Sequence, residues 1–97
     1  ADICEPVMLD LIAQVVAAAE DSGAWVGVCG ETATDPVVGA AFVGLGVREL
    51  SMVAGAIGEV KDLLRRHTMS AFSAAAEAAR CAPSATAARV ALAAALA

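Results

Sequence analysis

Two short apolar segments, AWVGVC at residues 24–29 and RELSM at residues 48–52, flank a stretch that opens with Asp35-Pro36. This arrangement restricts the chain more than any other feature. Asp35 is an acid suited to a helix N-cap, and Pro36 suits the first helical position. Val37, Val38, Ala41, Phe42 and Leu45 then recur at helical spacing, and Gly46 ends the run. The order is strand, helix, strand, with strand starts about 24 residues apart, the repeat of a parallel βαβ unit. AWVGVC is apolar on both faces and valine-rich, as expected of a central parallel strand.

The flanking sequence is helical. Pro6 opens a helix in which Met8, Leu11, Ile12, Val15, Val16 and Ala19 form the apolar stripe, with Asp10, Gln14 and Glu20 opposite. Gly23 is placed to stop it. Residues 30–34 read as a loop. A further helix runs from about Ala54 to Arg66, with Ile57, Val60 and Leu64 inward and Lys61, Arg65 and Arg66 near its negative end. Residues 70–81 and 84–97 read as two alanine-rich helices broken at Pro83, with Ser84 as N-cap. Their few large apolar residues suggest an appended helical hairpin. The predicted order is α, β, α, β, α, α, α.

Two parallel strands do not make a stable sheet alone, because parallel sheets are covered on both faces and have more strands. The repeat length fits a (β/α)8 barrel, which takes about 250 residues. The expected fold class is therefore α/β, the C-terminal segment of a TIM-type barrel plus a C-terminal helical hairpin. Residues 1–66 would be barrel and residues 67–97 the appended helices. Composition agrees: 60% of the 97 residues are hydrophobic, against about 45–50% in ordinary domains. Alanine supplies part of the excess, but the density of Val, Leu, Ile and Met implies a missing partner surface, in a larger fold or an oligomer.

The net charge of −5 lacks the basic footprint that nucleic acid requires. The N-terminus carries Asp2 and Glu5 and no basic region, unlike a secretory signal. The longest apolar run, Pro36 to Val47, is far below the roughly 18 residues of a membrane span. Cys4, Cys29 and Cys81 are odd in number and widely spaced, with no zinc pattern and no disulfide framework. A reducing, cytoplasmic setting without membrane or nucleic-acid partners is expected.

Cys29 ends the first strand, and in (β/α)8 barrels catalytic groups sit at the carboxyl ends of strands. Two readings stand open. Free cysteine is among the most buried residue types, so Cys29 could simply finish a strand. Thiols ordinarily lose their proton only near pH 8.5 or so, so a cysteine there could also donate a proton. Gly30 reads as a turn glycine or as a point of close approach to a ligand. Glu31 reads as a solvated acid or as a group that orients a neighbour at the mouth. Ser51 and Met52 end the second strand, as rim packing or substrate contacts. Asp35 fills the helix start that would otherwise suit a phosphate. His67, the single histidine, reads as a partner for a helix C-terminus. Cys4 and Cys81 read as structural.

Gly27-Val28-Cys29-Gly30-Glu31 followed by Asp35-Pro36 resembles the cysteine signature of the phosphoenolpyruvate-utilising enzyme family. Pro6-Val7-Met8-Leu9, Leu11-Ile12, Leu45-Gly46, Glu49-Leu50-Ser51-Met52, Ile57, Val60 and Lys61 extend the likeness. Within the family they look like the end of the phosphoenolpyruvate–protein phosphotransferases, the enzyme I group of the bacterial sugar phosphotransferase system. Val53 stands where that group often has serine, and Gly58 where it often has proline. The resemblance is close over residues 6–66 and rests on length and helical pattern over 67–97. It implies a barrel, a homodimer, phosphoenolpyruvate and pyruvate as ligands, and Cys29 as the acid that protonates enolpyruvate, with Gly30 and Glu31 near substrate. It also implies that Mg²⁺, its carboxylates, the phospho-accepting histidine and the contact with the phosphocarrier protein HPr lie in the parent chain outside this segment. A fragment of pyruvate phosphate dikinase or of phosphoenolpyruvate synthase is the nearest alternative, and a non-catalytic helix-rich interaction module is another.

Overall fold

A computed structural model describes residues 2–97. The elements are α1 (Pro6–Asp21), β1 (Gly27–Cys29), α2 (Glu31–Thr34), α3 (Pro36–Gly44), β2 (Glu49–Ser51), α4 (Ala54–Arg65), α5 (Met69–Arg80) and α6 (Ala85–Ala95). β1 and β2 pair in parallel, with Gly27 opposite Glu49, Val28 opposite Leu50 and Cys29 opposite Ser51. The expected βαβ unit is present within a small mixed α/β structure that is mostly helical.

Sequence chemistry sets the helix starts. Pro6 and Pro36 occupy first-turn positions. The Asp35 carboxylate accepts a hydrogen bond from the Val37 N–H at 3.0 Å. Thr68 and Ser84 cap α5 and α6 by accepting from the N–H groups of Ala71 and Ala87, both at 3.2 Å. Each such cap contributes about 1 kcal/mol.

α3 is the hub. It is apolar on nearly every side, and Val38, Gly39, Ala40, Ala41 and Phe42 are all buried. A single stripe was expected, but α3 touches α2, α4, α5 and α6, so it is wrapped rather than laid on a surface. α5 and α6 add Phe72, Ala75, Ala79, Ala85, Ala88, Leu92 and Leu96 to the same hydrophobic cluster as Leu9, Val38 and Phe42. The cluster therefore joins residues of α1, α3, α4, α5 and α6. Alanine's small side chain lets the helix axes come close, so large residues are not needed for burial.

Several expectations shift in phase. In α1 the core ridge is Leu9, Ile12 and Val16, while Leu11 is 53% exposed and Val15 is 50% exposed. The helix is apolar over a wide arc, and packing selected one part of it. In α4 Val60 and Leu63 are buried and Ile57 faces out. Residues 30–34 hold one turn of helix rather than only a loop. The first strand is three residues long and not buried on both faces. Trp25 is 62% exposed, and Gly27 and Cys29 are exposed as well. Helices cover the sheet on one side, where Val28 and Leu50 pack against the core, and the opposite side is open.

His67 caps a helix end, but of α6 rather than α4. Its Nε2 lies 3.1 Å from the Leu96 carbonyl oxygen, and its ring meets Phe72 edge-on. Among the described residues no helix is long and apolar enough to cross a membrane.

Candidate functional site

Cys29 is the last residue of β1, and alternation along the strand turns it away from the helical core, toward which Val28 points. Its thiol is free and exposed. The residue opposite it is Ser51, the last of β2, also exposed. Thiol and hydroxyl therefore stand side by side at the carboxyl end of a parallel pair, where open α/β sheets and barrels place their ligands.

The chain leaves β1 through Gly30, whose φ of 103° and ψ of −165° belong to glycine almost alone. The Gly30 N–H donates to the Ser51 carbonyl at 3.2 Å, extending the ladder by one bond. The Gly30 carbonyl accepts from the Ala33 N–H at 3.2 Å, which closes the single turn of α2. Ala33 is fully buried and anchors that turn. Glu31 opens α2 and is exposed. Gly30, Glu31, Thr34, Ser51, Met52 and Val53 line an open depression of about 600 Å³. The structure thus brings Gly30, Glu31, Ser51 and Met52 together, whereas Cys29 is not among the lining residues and adjoins them as the chain neighbour of Gly30 and the ladder partner of Ser51. The structure adds Thr34, at the end of α2, which no sequence signal marked, and Val53, which the sequence marked only as standing where the related group often has serine.

Asp35 lies at the far end of this connection, between α2 and α3. Besides capping α3, it lies 3.6 Å from the Arg89 guanidinium of α6. Arg89 also makes a two-pronged pair with Asp2, at 2.7 and 3.1 Å. The Asp2 carboxyl is held below its ordinary range, first by Arg89 and next by the Cys4 N–H. Burial pushes the Cys4 thiol up, keeping it protonated inside the core. Cys4 fits its structural reading, whereas Cys81 lies exposed at the end of α5. Sequence reading missed Arg89, whose one signal is being a rare charge in an alanine-rich helix.

Among the described residues no three histidine, cysteine or acidic side chains converge in a way that could hold a metal ion. Glu31 is the one carboxylate lining the depression. The side chains at this site do not by themselves fit a Mg²⁺ ion.

The chain is similar to proteins of one family. Residues 1–69 match the family model described as PEP-utilising enzyme, PEP-binding domain. A phosphoenolpyruvate-protein phosphotransferase of Streptomyces coelicolor is 43% identical over 90 residues, which is 93% of this chain and 16% of that protein. A multiphosphoryl transfer protein of Rhodobacter capsulatus is 47% identical over 70 residues, 72% of this chain and 8% of its own length. A phosphoenolpyruvate-protein phosphotransferase of Haloferax volcanii is 47% identical over 60 residues, 62% of this chain and 11% of that protein. The chain spans less than a fifth of the length of these curated relatives. It belongs to the PEP-utilising enzyme family and corresponds to part of that family's PEP-binding domain.

Proposed function

We propose that this chain is the C-terminal segment of a phosphoenolpyruvate–protein phosphotransferase, and that Cys29 is the acid that converts enolpyruvate to pyruvate. The observation that carries the reading is an exposed thiol at the carboxyl end of a parallel pair, bordered by a glycine-only turn and an open depression. The names of the relatives support the phosphotransferase part of this reading.

In this reading the phosphoryl group leaves phosphoenolpyruvate for a protein histidine elsewhere in the parent, and an enolate remains. The oxygen lone pair re-forms the carbonyl, and the C2–C3 π electrons take the proton from the Cys29 thiol. Pyruvate forms and a thiolate is left. In reverse the thiolate removes a C3 proton. General acid catalysis of this kind is worth roughly 10²–10⁴-fold. Gly30 keeps a side chain out of the approach to the enolate, and the Glu31 carboxylate sits at the rim of the depression. The Mg²⁺ ligands belong to the rest of the parent, and no step here runs through that ion.

β1 and β2 are then the last two strands of a (β/α)8 barrel. The open sheet face is its lumen, residues 1–66 are its final part, and α5 and α6 form a helical hairpin clasped to α3. The parent is a cytoplasmic homodimer whose remaining segments meet HPr.

The test is Cys29→Ala in the full-length protein, followed by deuterium incorporation at C3 of pyruvate in heavy water. Exchange should fall by at least about 100-fold, while phosphoryl transfer to the histidine survives in part. Near-normal exchange would return Cys29 to the role of a small residue ending a strand.

A further inference from the structure

The strand register places one more chemical group against the thiol. We propose that Ser51 is a substrate-facing catalytic residue whose hydroxyl steadies the Cys29 thiolate as the proton leaves. This rests on the assignment of Cys29 as proton donor and deepens it.

Cys29 and Ser51 are direct partners in the parallel ladder. Paired residues project to the same face of a sheet, and strands lie about 4.8 Å apart. Val28 and Leu50 occupy the opposite face, against the helical core, so both chemical groups occupy the open one. The Ser51 backbone is committed, because its carbonyl accepts the Gly30 N–H at 3.2 Å. Its side chain is exposed and lines the depression with Gly30, Glu31, Thr34, Met52 and Val53. A serine fixed by its backbone and open at its side chain is suited to hydrogen-bond a neighbour or a ligand.

The chemistry needs such a donor. When the thiol S–H bond breaks, its electron pair stays on sulfur and the proton bonds to C3. The negative charge leaves the enolate and appears on sulfur within the same small space. The Ser51 O–H donates to that sulfur without losing its own proton, and water later restores the thiol. A donor aimed at developing charge costs no reorganisation at the moment of reaction.

The experiment uses the full-length protein with three variants: Ser51→Ala, Ser51→Thr and, as reference, Cys29→Ala. Two rates are read separately: deuterium incorporation at C3 of pyruvate, and phosphoryl uptake from phosphoenolpyruvate by the protein's histidine. Ser51→Ala should slow exchange roughly tenfold or more, and slow phosphoryl uptake by a clearly smaller factor. Ser51→Thr keeps the hydroxyl and should recover most of the exchange. Normal exchange in Ser51→Ala, with exchange abolished in Cys29→Ala, overturns the role of Ser51 alone. Equal losses in both rates assign Ser51 a merely structural place and overturn it too. Normal exchange in Cys29→Ala overturns both assignments together.

Discussion

Around α3, small residues let helices close in until almost nothing polar remains. At the ends of β1 and β2, the same chain leaves a thiol, a hydroxyl and a carboxylate uncovered. α3 runs as PVVGAAFVG, with five consecutive residues buried. β1 and β2 are three residues each, with exposed residues flanking one partly buried residue. The first region spends its residues on packing, and a substitution there changes stability. The second is held by backbone hydrogen bonds and by one buried anchor, Ala33. Its exposed side chains can therefore be exchanged at little cost to folding. The following predictions test whether that division holds.

The largest effect is expected in the helical layer. Phe42 is 1% exposed at the centre of the cluster. Phe42→Ala removes the ring and leaves a cavity that close-packed neighbours fill only in part, at about 3–5 kcal/mol. Urea unfolding of the 97-residue chain measures this. Cys29→Ala, at the exposed strand end, should shift the same curve by less than about 0.5 kcal/mol. Comparable losses in the two variants would break the comparison, because the sheet end would then be structural as well.

The next effect comes from the opposite change. A Cβ added to Gly44 would run into the Phe72 carbonyl and come within 2.7 Å of the Ala76 Cβ. Gly44→Ala gains about 1 kcal/mol of helix propensity. The overlap involves backbone of α5, which does not yield as a flexible side chain would, so α3 and α5 must separate. Overpacking of this kind costs about 1–3 kcal/mol, and the unfolding midpoint should fall despite the better helix former. A rise in the midpoint would mean that the α3–α5 contact is looser than the structure has it.

The βαβ order was legible in the sequence because its signals are local. Asp35-Pro36 caps a helix wherever it stands, and Ser84 does the same. Cys29 was legible as the end of a strand, which fixed its place at the carboxyl edge. What could not be read is what depends on neighbours. Leu11 and Leu9 are equally apolar, yet only Leu9 is buried, since the choice between them lies with α5, which packs against α1. AWVGVC looks buried on both faces, but the helices cover only one of them, and Trp25, Gly27 and Cys29 lie exposed. Alanine-rich helices carry little sign of burial in sequence, because a small side chain buries little area. In α5, Ala75 and Ala79 are buried completely. Ser51 and Cys29 are 22 positions apart, and the parallel register that makes them neighbours is a tertiary fact.

The smallest effect concerns the charged clasp that joins the two regions. Arg89 of α6 grips Asp2 ahead of α1 and reaches Asp35 at the junction of α2 and α3. The Asp2 carboxyl is held below its ordinary range, chiefly by the Arg89 hydrogen bonds. A group whose folded-state value is lowered binds its proton more readily in the unfolded chain. Its contribution to stability is complete above the ordinary carboxylate pKa of about 3.9 and fades as pH falls through the lower folded-state value. Thermal unfolding from about pH 5 to pH 2 should therefore show a loss that Asp2→Asn removes in part. The Asp2 and Arg89 side chains are 36% and 39% exposed, so solvent screens the pair and its share is small. Added salt should shrink the difference between the two proteins, as it does for any exposed pair. Identical acid slopes for both proteins at low salt would show that the clasp adds nothing to stability. The segment ahead of α1 would then be held without help from its ion pair with α6.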